Sequence, residues 1–140
     1  MKFRRVVTAL VSAIALAVGG GIVNASSAAA VGGCPTNKLC LYRSTEFRTM
    51  SFSATSTGAC FYLRDYGLTY PANGINSYVN NLPVKATLWE GSIPNNWSSN
   101  GSIRPGGFSS DTGALTPEGA YWRYATAVCT GGVFPWDELP

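Results

Sequence analysis

Cys34-Pro35-Thr36-Asn37-Lys38-Leu39-Cys40-Leu41-Tyr42 joins a close cysteine pair to the start of an alternating apolar run. Successive residues of a strand face opposite sides, so Leu39 and Leu41 fall on one face and Cys40 and Tyr42 on the other. Similar alternation recurs at Ala86-Thr87-Leu88-Trp89, and at Trp122, Tyr124, Thr126 and Val128. Turn-rich spacers lie between these runs: Tyr70-Pro71-Ala72-Asn73-Gly74, Pro94-Asn95-Asn96 and Pro105-Gly106-Gly107. No window carries a sustained helical stripe. Cys60 to Leu68 has room for one short helical turn and reads as a loop crossing the core. The pattern predicts an all-β chain folded as a small antiparallel sandwich.

The segment before Cys34 reads as an export signal. Lys2, Arg4 and Arg5 form a positive start, Val6 to Val23 is apolar and broken late by Gly19-Gly20-Gly21, and Ala28-Ala29-Ala30 has the small residues a signal peptidase requires. Cleavage is expected after Ala30, leaving residues 31–140 as one secreted domain. The formal net charge of +3 then disappears, because the three leading cations are removed and no carboxylate precedes Glu46. A neutral domain has no long-range attraction for polyanions, so nucleic acid is not an expected partner, nor is a membrane once the signal is gone. A monomer is expected.

All four cysteines lie in the secreted part, and an even count in an oxidising compartment reads as two disulfides with three possible pairings. Cys34 and Cys40 are near enough to close a small loop, which leaves Cys60 and Cys129 to tie the middle of the domain to its end. Metal binding by these cysteines is disfavoured by the absence of histidine and of Cys-x-x-Cys spacing. A weak internal repeat adds topology. A shift of 47 places lays Leu41-Tyr42 on Leu88-Trp89, Phe61 on Phe108 and Leu68 on Leu115. Each half then runs aromatic strand, long excursion, returning strand, the order of a Greek key.

With Phe47 and Phe52 beyond Tyr42, and Leu63-Arg64-Asp65-Tyr66-Gly67 followed by Gly74-Ile75-Asn76-Ser77-Tyr78, the chain resembles the βγ-crystallin-like peptidase inhibitor family thirty-six, which includes small secreted actinobacterial metalloproteinase inhibitors. The resemblance implies a βγ-crystallin-like sandwich of two Greek keys, export, and inhibition of a thermolysin-type zinc protease. Cys34 and Cys40 match the family's first disulfide, and Tyr42 with Phe47 matches the aromatic corner of a crystallin key. Thr49 stands where that pattern has glycine. The family's second short-range disulfide, which pins the inhibitory loop, has no counterpart, because Cys60 and Cys129 lie far apart. An inhibitory segment must therefore be sought elsewhere, and Ser92 to Phe108 is the long candidate, with Trp97 as aromatic anchor and Arg104 before Pro105. Its many Asn, Ser and Gly residues equally suit a flexible excursion without a partner. Asn96-Trp97-Ser98 and Asn100-Gly101-Ser102 are also glycosylation sequons, relevant in a eukaryotic secretory route.

Calcium is the other chemistry of crystallin keys, whose sites use paired Asn or Asp, two arbitrary residues, then two hydroxyls. The matching stretch is Ala72 to Ser77, with Asn73, Asn76 and Ser77 as candidate ligands. Ala72 and Asn76 replace two of the expected oxygen donors, and Pro117 to Trp122 fits less well still, so no cofactor is expected. Catalysis is not expected either: the chain has no histidine and no Gly-x-Ser-x-Gly or Ser-x-x-Lys motif, and its seven carboxylates read as surface groups. Among the aromatics, Trp89 and Trp122 read as core by alternation, whereas Trp97 and Trp136 sit in loop and tail as possible platforms. The expected partner is an extracellular protease. The alternative is a cell-wall glycan, bound by a toxin-like or glycan-binding module of the same fold.

Overall fold

The computed structural model describes residues 30–71, 73–92, 96–114 and 122–139. The export signal, apart from Ala30, lies outside the described residues, as do Ala72, Leu115 and most of the second calcium-like stretch. The described residues form eight strands: β1 Leu39–Tyr42, β2 Met50–Ala54, β3 Cys60–Tyr62, β4 Ser77–Asn80, β5 Ala86–Ser92, β6 Asn96–Ile103, β7 Phe108–Ser109 and β8 Ala127–Thr130. A one-turn helix α1, Pro135–Glu138, follows. Among these residues no helix is long and apolar enough to cross a membrane.

The strands make two four-stranded antiparallel sheets, ordered β2-β1-β4-β7 and β3-β8-β5-β6. Read backwards, the second order becomes β6-β5-β8-β3, which is the first with each strand replaced by its equivalent in the other half. Each half thus keeps three strands in its own sheet and lends the third, β3 or β7, to the other. This is the two-Greek-key sandwich expected from the sequence. The shift of 47 has a structural basis, since Leu41-Tyr42 and Leu88-Trp89 occupy β1 and β5, and Phe61 and Phe108 occupy β3 and β7.

Period-two alternation decides what each sheet buries. Leu39 and Leu41 of β1, Leu88 of β5 and Val128 of β8 meet Phe52, Leu63, Leu68, Ile75, Ile103 and Trp122 between the sheets. A one-residue slip of any central strand would turn this set outward, so the register is strongly specified. The outer face of the first sheet holds Cys40, Tyr42 and Val79, covered by Cys34 and Phe47. The outer face of the second holds Trp89, Ala127 and Cys129, covered by Val133 and Leu139. Both disulfides form, Cys34 to Cys40 and Cys60 to Cys129. The first anchors the N-terminal segment on its face, and the second crosses directly between β3 and β8.

Two sequence expectations need correction. β8 starts only at Ala127, and Trp122 to Tyr124 form a 3-10 turn instead of extending the strand. Trp122 leaves the sheet plane because its ring packs on Tyr78 at 5.0 Å and its indole N–H donates to the Asn100 carbonyl at 2.8 Å. Cys60 to Leu68 is strand β3 followed by a 3-10 helix, Leu63–Tyr66, rather than a plain loop. Trp89 and Trp122 are both buried, as the alternation predicts, Trp89 in the cluster on the outer face of its sheet.

The β1–β2 turn forms the aromatic corner, with the Tyr42 and Phe47 rings edge to face at 5.7 Å. The Tyr42 hydroxyl donates to the Gly32 carbonyl at 2.9 Å, and burial raises its pKa above the ordinary value. Thr49 adopts φ +59°, the left-handed conformation that glycine would take without strain. It is exposed, and a β-branched residue there costs about 1–2 kcal/mol. Thr49→Gly is therefore expected to stabilise the protein by about 1 kcal/mol, after the flexibility gained by the unfolded chain is subtracted. Urea unfolding of the variant checks this, and a lower midpoint would contradict it.

Candidate functional site

The segment read as a soft loop is for the most part a strand. β6 pairs with β5 from Ser92↔Asn96 to Ala86↔Ile103, with a bulge at Asn100 because Leu88 faces Gly101 while Trp89 faces Ser99. Its Asn, Ser and Gly content lowers strand propensity, which hid it from a residue-by-residue reading. The repeat carried the signal, since the shift of 47 places β2 on residues 97–101.

The hydrogen bonds of β5 show which way β6 presents its backbone. The Trp89 carbonyl accepts from Thr126 N at 2.7 Å, and Gly91 N donates to the Thr126 hydroxyl at 3.1 Å. Trp89 and Gly91 thus turn their polar groups towards β8, and Glu90 and Ser92 turn theirs towards β6. Antiparallel pairing then bonds Glu90 to Ser98 and Ser92 to Asn96, leaving the N–H and C=O of Trp97 and Ser99 on the outer side of β6. β6 is an edge of its sheet, and the longest of the four edge strands β2, β7, β3 and β6. Edge strands are usually protected by charge or proline. Asn96-Trp97-Ser98-Ser99-Asn100-Gly101-Ser102-Ile103 contains neither.

One hydroxyl holds this hairpin, and another holds its counterpart. Thr126 Oγ1 donates to the Gly91 carbonyl at 2.9 Å while accepting from Gly91 N. In the first half, Ser77 Oγ donates to the Ser44 carbonyl at 2.7 Å and accepts from Phe47 N at 3.1 Å. Trp97 is half-buried, its ring 6.3 Å from that of Tyr62, over which the Arg64 guanidinium lies at 4.6 Å. Beside them a cleft of about 340 Å³ is lined by Tyr62, Arg64, Thr69, Gly91, Ser92 and Thr126. Arg104 is exposed at the other end of β6, in the turn closed by Gly107 N to its carbonyl at 2.9 Å. At about 3.3 Å per residue, roughly 20 Å of strand separates it from Trp97, so the two candidates do not form one contact point.

Two of the three calcium candidates, Asn76 and Ser77, are committed to the protein itself, while Asn73 is exposed. Ser77 makes the two internal bonds just described. Asn76 Nδ2 donates to the carbonyls of Arg43 at 2.7 Å and Asn73 at 3.0 Å, directing hydrogens at oxygens that a cation would need. These residues do not fit a calcium ion.

A second aromatic group lies on the outer face of the same sheet. Phe134 and Trp136 stack at 4.7 Å with planes 11° apart, and Trp89 meets them edge to face at 5.7 and 5.6 Å. Neither the curated proteins nor the solved structures contain a match to the chain. The model of peptidase inhibitor family I36 matches residues 27–100, a span running from before the first disulfide into β6, and the chain belongs to that family.

Proposed function

We propose that this is a secreted inhibitor of zinc metalloproteases that engages its target through the open edge of β6, with Trp97 as anchor. Family membership supports the peptidase-inhibitor role and, with it, a protease as partner and a binding rather than a catalytic function. Residues 1–30 act as the export signal and residues 31–140 as the mature monomeric domain, a reading supported by two disulfides that suit an oxidising compartment.

The carrying observation is the outward row of backbone groups at Trp97 and Ser99 on a long, uncharged edge strand. Proteases bind substrates as extended chains, so a strand already held in that form pairs with the cleft while losing little entropy. The anchor is pre-ordered by Tyr62. Arg104 contributes at the rim, where a charge chiefly affects the rate of encounter.

Residues 31–140 should slow a thermolysin-like protease stoichiometrically. Trp97→Ala should weaken this by about tenfold or more. Ser99→Pro removes an outward N–H without removing a β5–β6 ladder bond, and should weaken inhibition comparably while leaving the fold intact. The absence of inhibition at micromolar excess across metallo- and serine proteases would overturn the proposal. Inhibition unaffected by either variant would place the contact elsewhere.

A further inference from the structure

The geometry points to a carbohydrate-binding site on the outer face of the second sheet, where the exposed outer face of the Phe134–Trp136 stack receives a pyranose ring with equatorial hydroxyls. This site shares Ser99 with the β6 edge proposed for protease contact, but it is argued from the aromatic stack and the cleft beside it and does not depend on that reading.

The platform is built by α1. Pro135 occupies the first helical position and is buried, which roots the turn on the sheet and leaves Phe134 and Trp136 on either side of it. The two rings are 41% and 47% exposed, and their near-parallel stack makes a two-ring apolar unit at the surface. Trp89 buttresses it from below. Adjacent aromatic rings exposed in this way are unusual unless something covers them.

The surroundings indicate what that ligand is. A cleft of about 180 Å³ adjoins the stack, lined by Trp89 and Phe134 together with Thr87, Ser99, Ser102 and Lys85. The Thr87 and Ser102 hydroxyls bond each other at 2.9 Å and Ser99 Oγ accepts from Gly101 N at 3.3 Å, yet each hydroxyl keeps unused hydrogen-bonding capacity, which suits a sugar with its apolar C–H face and rim of hydroxyls. The Trp89 indole nitrogen supplies an independent observation. Trp89 is only 8% exposed, and among the described residues its Nε1 is the buried side-chain nitrogen or oxygen that lacks a hydrogen-bond partner. Buried indole N–H groups normally find an acceptor. That N–H is closed to solvent, so a ligand hydroxyl would reach it only as the rings packed on Trp89 shift. Asp137 and Glu138, which flank Trp136 and are exposed, add acceptors for sugar hydroxyls at the outer rim.

The test titrates the purified exported protein with chitotriose, with cellotriose and with a phenylalanine-containing tripeptide, following tryptophan fluorescence and the indole N–H signals by NMR. A gluco-configured oligosaccharide is expected to bind in the millimolar range or tighter and to shift the indole signals of Trp89 and Trp136. Trp136→Ala should weaken binding by about tenfold, and Trp136→Phe should retain most of it. Unshifted indole signals with both sugars would overturn the site, as would binding that survives Phe134→Ala and Trp136→Ala. Binding of the tripeptide alone would identify the patch as a peptide contact and would also overturn it.

Discussion

Replacing Cys60 and Cys129 together with alanine is expected to lower stability by about 4 kcal/mol, against about 2 kcal/mol for the Cys34 and Cys40 pair. The sequence separations are 69 and 6 residues, and the entropy that a cross-link removes from the unfolded chain grows with the logarithm of the loop. Topology adds to the long bridge's importance. β3 is the strand that the first half lends to the second sheet, and only Cys60, Phe61 and Tyr62 pair it with β8. In a domain of this size the loss corresponds to a fall of roughly 20 °C in melting temperature. Calorimetry of the two double variants decides the matter, and equal shifts would refute the loop-length account.

Asn80→Ala should cost a similar amount, about 4 kcal/mol. The Asn80 side chain is fully buried, and its Nδ2 donates to the carbonyls of Val84 at 3.0 Å, Ile103 at 3.2 Å and Arg104 at 3.2 Å. Its Oδ1 accepts from Leu82 N at 3.1 Å. Its backbone carries the ladder into the next turn, donating to the Gly107 carbonyl and accepting from Gly106 N, both at 2.8 Å. One amide therefore satisfies backbone groups from two connections, and its bonds to the Ile103 carbonyl and Leu82 N are fully buried. Removing it strands several buried polar groups at once, each costing about 1–3 kcal/mol if nothing relaxes. Asn81 is the control. Its Nδ2 also bonds two carbonyls, of Cys34 at 3.1 Å and Pro35 at 3.0 Å, but the residue is only half-buried. Water can replace those bonds, so Asn81→Ala should cost about 1 kcal/mol. Denaturant unfolding at unchanged slope checks both variants, and equal losses would show that burial is not what matters.

Legibility from sequence followed the range of the interactions involved. The alternation of Leu39 to Tyr42 and Ala86 to Trp89 reports directly on two-sided strands, because a side chain's face is set by its position in the strand alone. Thr49 was noticeable as a departure from a glycine position, and the structure gives it the left-handed backbone that glycine would have had. β6 was not legible as a strand. Its composition opposes strand formation, and pairing with β5 outweighs that preference. The Trp122 run misled for the same reason, since a strand pattern in sequence lost to a ring contact with Tyr78 and a bond to Asn100.

By itself the sequence determined the all-β class, the two Greek keys and the cysteine complement, because periodicity, a repeat of 47 and residue count are properties of the chain. Tertiary structure decided the rest. Which strand forms which edge of a sheet, how far Trp97 lies from Arg104, and that Phe134 and Trp136 stack over Trp89 depend on strands exchanged between halves and on segments folded back across a sheet. Those juxtapositions are set by long-range packing and hydrogen bonding, for which no local pattern exists.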